Sequence, residues 1–321
     1  MPPGEFELIE RFFTGRGAAR ADVRLSVGDD AAILTPQPGA ELVLALDTIV
    51  SGVHFPADVN GRFVGHRALA VNLSDIAAMG AEPAWALLGL TLPAADENWL
   101  GDFASGLDDL ARRFGVALVG GDTTRGPLTA TLALAGWVPT GQALRRAGAR
   151  SGDDLWVSGT VGDAGAGLAV LQGRLAAGGA PREELLRRFL VPEPRVSLGQ
   201  ALRGIATACI DVSDGLAGDL GKLCSAGSVG AWLDAAELPR SEALLEAAGE
   251  EGALRFALSA GDDYELLFSA PASARRLIES FKADVPVTRI GAITAAPGVQ
   301  LQGAGPELER DVAHGFDHFG S

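Results

Sequence analysis

Five times along this chain an apolar stretch gives way to an aspartate set among glycine, serine or threonine. The stretches are SVGDDAAIL with Asp29 and Asp30, LALDTIV with Asp47 and Thr48, VNLSDIAAMG with Asn72, Ser74 and Asp75, VGGDTT with Asp122, Thr123 and Thr124, and IDVSDG with Asp211, Ser213 and Asp214. Around them, helical and strand periodicities alternate. Phe6, Leu8, Ile9, Phe12 and Phe13 fall at helical spacing and predict a short amphipathic helix. Glu41–Asp47, Ala84–Leu92, the run VALVG and Leu128–Val138 read as strands. Arg62–Gly80 and Ala95–Gly115 read as helices, the first stopped by Gly80 and Pro83, the second with Arg112 and Arg113 in its last turn as the helix dipole favours.

A polar stretch rich in glycine and arginine, Pro139–Asp154, marks a boundary and divides the chain into domains 1–142 and 143–321. In the second half LWVSG, ATACIDVSDG, Tyr264–Ala270 and VPVTRIGAI read as strands. Helices are expected around Ala164–Gln172, Pro181–Leu190, Ser197–Ala206, LAGDLGKLCSAG and Ala272–Phe281. Helices and strands mixed in both halves predict two α/β or α+β domains.

Composition removes several function classes. A net charge of −15 is the wrong sign for a nucleic-acid footprint. Cys209 and Cys224, the two cysteines, lack metal-ligand spacing and read as reduced thiols. The opening MPPGEFELIERFF has no basic region followed by an apolar core, and no apolar run reaches the ~18 residues of a membrane span. The expectation is a soluble cytoplasmic protein.

Each aspartate stretch taken alone is ordinary turn or cap chemistry. Five of them at the ends of apolar segments place carboxylates near one layer of strand ends, where they repel and either protonate or bind cations. An all-oxygen donor set is hard, which favours Mg²⁺ or Mn²⁺, and the absence of HExxH and CxxC sets zinc aside. Magnesium commonly shares its shell with phosphate oxygens, so a nucleoside triphosphate is the expected partner. No Walker A loop and no HRD or DFG motif is present. The glycine-rich GTVGDAGAG, Gly159–Gly167, misses the G-x-G-x-x-G pattern, and a tight strand–helix turn and a phosphate loop both remain open. Lysines are only Lys222 and Lys282, so phosphate charge would fall to metals held by aspartates, helped by arginines such as Arg146. Tyr264, the only tyrosine, is either a core residue at a strand start or a ligand contact.

Carried by GEFELI, GDDAAIL, DTIVSGVHF, NLSDIAAMGAEP, GGDTT, RAGARSGDDLWVSG, DVSDGL, GDDYELLF and the terminal GFDHF, the chain resembles the thiamine-monophosphate kinase family of the aminoimidazole ribonucleotide synthetase-like superfamily. The resemblance spans nearly the whole chain and rests on the order and spacing of these motifs. It implies an N-terminal α/β domain whose strands form a barrel across a homodimer, a C-terminal α+β domain, and ATP in a cleft between them. It implies ATP-dependent phosphorylation of thiamine monophosphate to thiamine diphosphate. By motif match Asp30, Asp47, Asp75, Asp122, Asp211 and Asp214 would hold several magnesium ions, with Asp30, Asp122 and Asp214 assisting catalysis and no general base. Gly121, Asp122, Arg146 and Ser213 would surround the nucleotide, and His54, Asp262 and Phe316 would face thiamine monophosphate. The chain departs from the family pattern at Ala45 and Leu46, where relatives carry Ser-Thr, and at Asp262, where relatives carry glutamate. The alternatives are an aminoimidazole ribonucleotide synthetase-like enzyme and a non-catalytic nucleotide–metal sensor.

Overall fold

The structure is a computed structural model that describes residues 4–281 and 285–304. The chain divides into two compact units, one built on residues up to Ile76 and Ala81–Gly141, the other on Ala77–Gly80 and the residues from Gln142 onward.

The first unit contains α1 (Glu5–Phe12), β1 (Val23–Leu25), β2 (Ile33–Leu34), β3 (Ala40–Val50), α2 (Gly61–Ala78), β4 (Glu82–Leu92), α3 (Glu97–Arg113), β5 (Ala117–Arg125) and β6 (Thr129–Pro139). Four strands form a sheet in the order β3-β6-β4-β5, with β6 antiparallel to both neighbours and β4 parallel to β5. Strand alternation sorts its two faces. Val43, Ala45, Asp47 and Ile49 pair with Gly136, Leu134, Leu132 and Ala130, and Ile76 of α2 approaches Gly136 on this face. On the opposite face Leu42, Leu44 and Leu46 of β3 and Leu87 of β4 are 49%, 70%, 64% and 48% exposed. Beneath, α2 and α3 meet backbone to backbone. A Cβ on Gly106 would lie 1.9 Å from the Arg62 carbonyl oxygen, so no other residue fits without moving the helices apart. Asp96 starts α3 by accepting the N–H groups of Asn98 and Trp99.

Strand β5 runs further than its apolar residues predict. It continues through Gly120, Gly121 and Asp122 to Arg125, and its pairing with β4 slips by one residue between Leu118 and Gly120. Glycine makes the extension possible. At Gly121 φ is +153°, and a Cβ there would sit 1.9 Å from the Leu88 carbonyl oxygen.

The second unit contains β7 (Asp154–Ser158), α4 (Asp163–Leu171), α5 (Gly179–Leu190), α6 (Val196–Ala201), β8 (Ala208–Asp211), α7 (Leu216–Gly227), β9 (Gly230–Asp234), α8 (Glu242–Ser259), β10 (Leu266–Ala270), α9 (Arg275–Glu279), β11 (Val287–Thr294) and β12 (Gly298–Gln302). The sheet order is β12-β9-β11-β7-β10-β8, antiparallel except for β12 with β9, so this unit is α+β. Every residue of β7, β8 and β10 is buried. Leu155, Val157, Ile210 and Leu267 of these strands share a core cluster with Leu216, Leu220 and Leu223 of α7. Helix α6 ends at Ala201, before the expected Ala206. Strand β10 begins at Leu266, because residues before it form an extended turn with left-handed backbone at Asp262 and Tyr264.

Candidate active site

Asp29, Asp30, Gly120, Gly121, Asp122 and Thr123 line one cavity of about 380 Å³ in the first unit, walled on its apolar side by Phe6, Phe13 and Leu88 among others. Asp30 lies between β1 and β2, and its N–H donates to the Asp29 carboxylate at 2.8 Å. Asp122 extends from the slipped segment of β5, and both Asp30 and Asp122 are exposed. Three carboxylates and no basic residue line the cavity, so its field attracts cations. Oxygen donors of this kind suit a hard divalent ion that keeps part of its water. An adjoining groove shares Asp29, Asp30 and Asp122 and runs along the uncovered sheet face past Leu42, Leu44 and Leu87.

In the second unit, β8 ends on Asp211 and the loop after it carries Ser213 and Asp214. Asp211 is buried at the strand end. Asp219, in the first turn of α7, accepts the N–H groups of Ser213 and Asp214 at 2.9 Å each, which fixes the loop. Lys222 bonds the Asp214 carboxylate and reaches Asp219 at 2.8 Å. Burial raises the Asp219 carboxyl against the opposing pull of Lys222. The turn 261–265 is laced to this loop: Asp262 N–H donates to the Ser213 carbonyl at 2.9 Å and Tyr264 N–H to the Val212 carbonyl at 2.8 Å.

The glycine-rich segment between β7 and α4 resolves as a strand–helix turn. Its helix N-terminus is capped from within the chain, because the Asp263 carboxyl accepts from Gly162 N–H at 2.6 Å and Ala164 N–H at 3.1 Å. Around it Asp163, Asp263 and Glu265 are all at most 2% exposed, and they face the guanidiniums of Arg188 and Arg195. Three buried carboxylates meet two cations. Burial pushes Asp263 up to about 8, against the pull of Arg188 and the two N–H donors. The folded chain then holds a proton that the unfolded chain releases above its ordinary carboxylate range of about 4. This contribution to stability is complete at low pH and is lost as pH rises from about 4 towards 8. The melting temperature of Asp263→Asn, compared with the parent chain, is therefore expected to shift in favour of the variant between pH 5 and pH 8 (roughly the window set by the two pKa values). A difference that moves the other way contradicts the assignment.

Most aspartates of the five stretches do not stand at strand ends. Asp47 lies inside β3, Asp75 inside α2 and Asp122 inside β5, and only Asp211 ends a strand. Among the described residues no group of three or more His, Cys, Asp or Glu forms a metal cage. Asp30 and Asp122 come together, with Gly121 between their supports, whereas Asp47, Asp75 and His54 are not among the residues lining this cavity. His54 sits in the turn after β3 and its Nδ1 accepts the Val50 N–H at 3.0 Å. Arg146 is exposed ahead of β7. Phe316 lies outside the described residues. Sequence reasoning missed Asp219, Asp263, Glu265, Arg188 and Arg195. The one local signal was the charged run DDYE entering a wholly buried strand, which demands buried counter-charges.

Residues 28–138 match the family model of AIR synthase related protein, N-terminal domain, and residues 150–304 match that of its C-terminal domain. The thiamine-monophosphate kinase of Escherichia coli K12 is 47% identical over 99% of both chains. The crystal structure of thiamine-monophosphate kinase from Stenotrophomonas maltophilia K279a is 49% identical, with a TM-score of 0.83 over 88% of this chain and 92% of that one. The structure of AaThiL complexed with AMPPCP and TMP is 30% identical, with a TM-score of 0.79 over 92% of each chain. With both domains matched and near-complete coverage at this identity, the chain belongs to the thiamine-monophosphate kinase family.

Proposed function

We propose that this chain transfers the γ-phosphoryl group of ATP to the phosphate of thiamine monophosphate, giving ADP and thiamine diphosphate. The observation that carries this reading is the cavity in which Asp30 and Asp122 flank the side-chain-free backbone of Gly120 and Gly121. A backbone without Cβ lets phosphate oxygens approach, and carboxylates in place of lysines fit a phosphate that arrives with its own divalent cations. The complex of AaThiL with AMPPCP and TMP supports the pair of substrates.

The acceptor needs no general base. Phosphate monoesters have a second pKa near ~6, so the attacking oxygen is largely dianionic at neutral pH. The obstacle is repulsion between two anions. The residues that would hold magnesium are Asp30, Asp47, Asp75 and Asp122 in the first unit and Asp211 and Asp214 in the second. When bound, magnesium would supply charge neutralisation between the two phosphates. The rest is positioning: Gly121 and Asp122, with Arg146 and Ser213, orient the nucleotide, and His54 and Asp262 orient the acceptor. Lys222 bonds one oxygen of the Asp214 carboxylate in this structure, so a metal there would share that carboxylate with the ammonium group or displace it. Transfer is direct. With ATP labelled in the γ-phosphate, label is expected in thiamine diphosphate and none on the protein, and a chelator is expected to stop transfer until magnesium is restored. Label covalently bound to protein during turnover contradicts direct transfer.

The active form is a homodimer joined through the uncovered face of the first unit's sheet. Its support is the contiguous apolar surface of Leu42, Leu44, Leu46 and Leu87, larger than the scattered apolar residues of an ordinary monomer surface. The location is the cytoplasm. Two buried free cysteines suit a reducing compartment, and no helix among the described residues is long and apolar enough to cross a membrane.

A further inference from the structure

The turn 261–265 holds a backbone that its residues avoid. Asp262 has φ +73° and Tyr264 has φ +52°, both in the left-handed region and neither a glycine. Such a conformation persists only where the surroundings over-determine it, and it concentrates at functional sites. Here the surroundings act through alternate residues. Asp263 is pinned by the first N–H groups of α4. Glu265, fully buried, accepts from Ser158 Oγ at 2.5 Å, from Arg195 Nε and Nη2 at 2.7 and 2.5 Å, and from Arg188 Nη2 at 3.0 Å. Ser158 Oγ in turn accepts the Leu266 N–H at 2.9 Å, and Glu265 O accepts the Val212 N–H at 2.8 Å. Between these anchors, the Tyr264 hydroxyl donates to Asp262 Oδ1 at 3.1 Å.

We propose that Glu265 is a positioning residue for the acceptor: clamped by Ser158, Arg188 and Arg195, it locks the left-handed turn in which the Tyr264 hydroxyl aims the Asp262 carboxylate at thiamine monophosphate. The inference rests on the reading of Asp262 as an acceptor contact. A buried ion cluster is a poor device for stability alone, because an apolar cluster of similar volume does as well or better. What a fully bonded cluster supplies is a single allowed geometry, and here that geometry is spent on two residues in an unfavourable backbone. Aspartate has a short side chain, so the place its carboxylate reaches is set closely by the backbone that presents it.

The test uses the full chain and two variants, Glu265→Gln and the milder Ser158→Ala, with KM measured separately for thiamine monophosphate and ATP. Because the chain has one tyrosine, ¹³C-tyrosine labelling gives a single NMR reporter, Tyr264 itself. In the parent chain thiamine monophosphate is expected to shift that signal. Glu265→Gln is expected to raise KM for thiamine monophosphate by about tenfold to a hundredfold, as misplacement of a contact group does, and to move the tyrosine signal. Ser158→Ala is expected to do the same by roughly three- to tenfold, because it removes both the hydrogen bond to Glu265 and the one accepted from the Leu266 N–H. KM for ATP is expected to stay within about twofold. If Glu265→Gln does not fold, Ser158→Ala decides by the same two readouts. A lowered melting temperature with both the acceptor KM and the tyrosine signal unmoved overturns the inference, since that is what a purely structural cluster predicts. A parent chain inert towards thiamine monophosphate overturns the functional reading and this inference together, whereas an active parent with unmoved variants overturns this inference alone.

Discussion

Replacing Asp122 by alanine is expected to lower turnover by about 10²–10³-fold, the cost of removing one preorganised charged group from a phosphoryl-transfer site, while leaving the melting temperature nearly unchanged. The separation of the two effects follows from where the side chain sits. Asp122 is exposed, and its backbone pairs with Gly89 across β4 whatever the side chain is. Its carboxylate faces a cavity it shares with Asp29 and Asp30, so its loss relieves repulsion in the folded protein rather than breaking a contact. Asp96 makes the opposite case. It caps α3 with two hydrogen bonds. Asp96→Ala is expected to cost about 1 kcal/mol of stability and to leave turnover intact. Measuring kcat, KM and thermal melts on both variants checks the pair. A stable Asp122→Ala that turns over normally removes the cavity from the account.

The second large effect concerns assembly. Leu44→Asp combined with Leu46→Asp is expected to convert a dimer into a folded monomer. In the isolated unit these side chains are 70% and 64% exposed, so aspartates there leave the monomer's own core untouched. In a dimer closed over this face each copy would bury two charges, at several kcal/mol per ion, equivalent to a loss of more than about 10³-fold in affinity. The face also borders the site, since the groove past Leu42 and Leu44 is lined by Asp29, Asp30 and Asp122 as well. Activity is therefore expected to fall with dimerisation. Sedimentation of parent and variant, with activity measured on the same samples, separates the two. A parent chain that sediments as a monomer at micromolar concentration contradicts the assembly.

Much of this architecture is legible from periodicity. Helix α7 runs from Leu216 to Gly227 and begins where its pattern predicts, because Gly215 opens it and its apolar residues repeat at helical spacing. Helix α8 escaped notice. Gly249 breaks its geometry with φ +67° and ψ 174°, so its two halves carry no common apolar face. Strand β5 outran its apolar run because hydrogen bonding with β4 does not require side chains, and two glycines let the strand slip and continue to Asp122. The motif aspartates are legible in the sequence as candidates, but which of them stand together is not. Asp30 and Asp122 are 92 positions apart and meet because β5 and the β1–β2 segment are neighbours. The Glu265 cluster shows the limit most clearly: its partners Ser158 of β7, Arg188 of α5 and Arg195 just before α6 are scattered along the chain, and no local pattern joins them.

The central claim is the reaction itself, and product analysis tests it most directly. Purified protein incubated with ATP, magnesium and thiamine monophosphate is expected to form ADP and thiamine diphosphate in equal amounts, with neither product formed by Asp122→Ala above a small residue. ADP formed without thiamine diphosphate, or nucleotide bound with no product at all, contradicts the account and points instead to a sister reaction of the same fold or to a nucleotide–metal sensor.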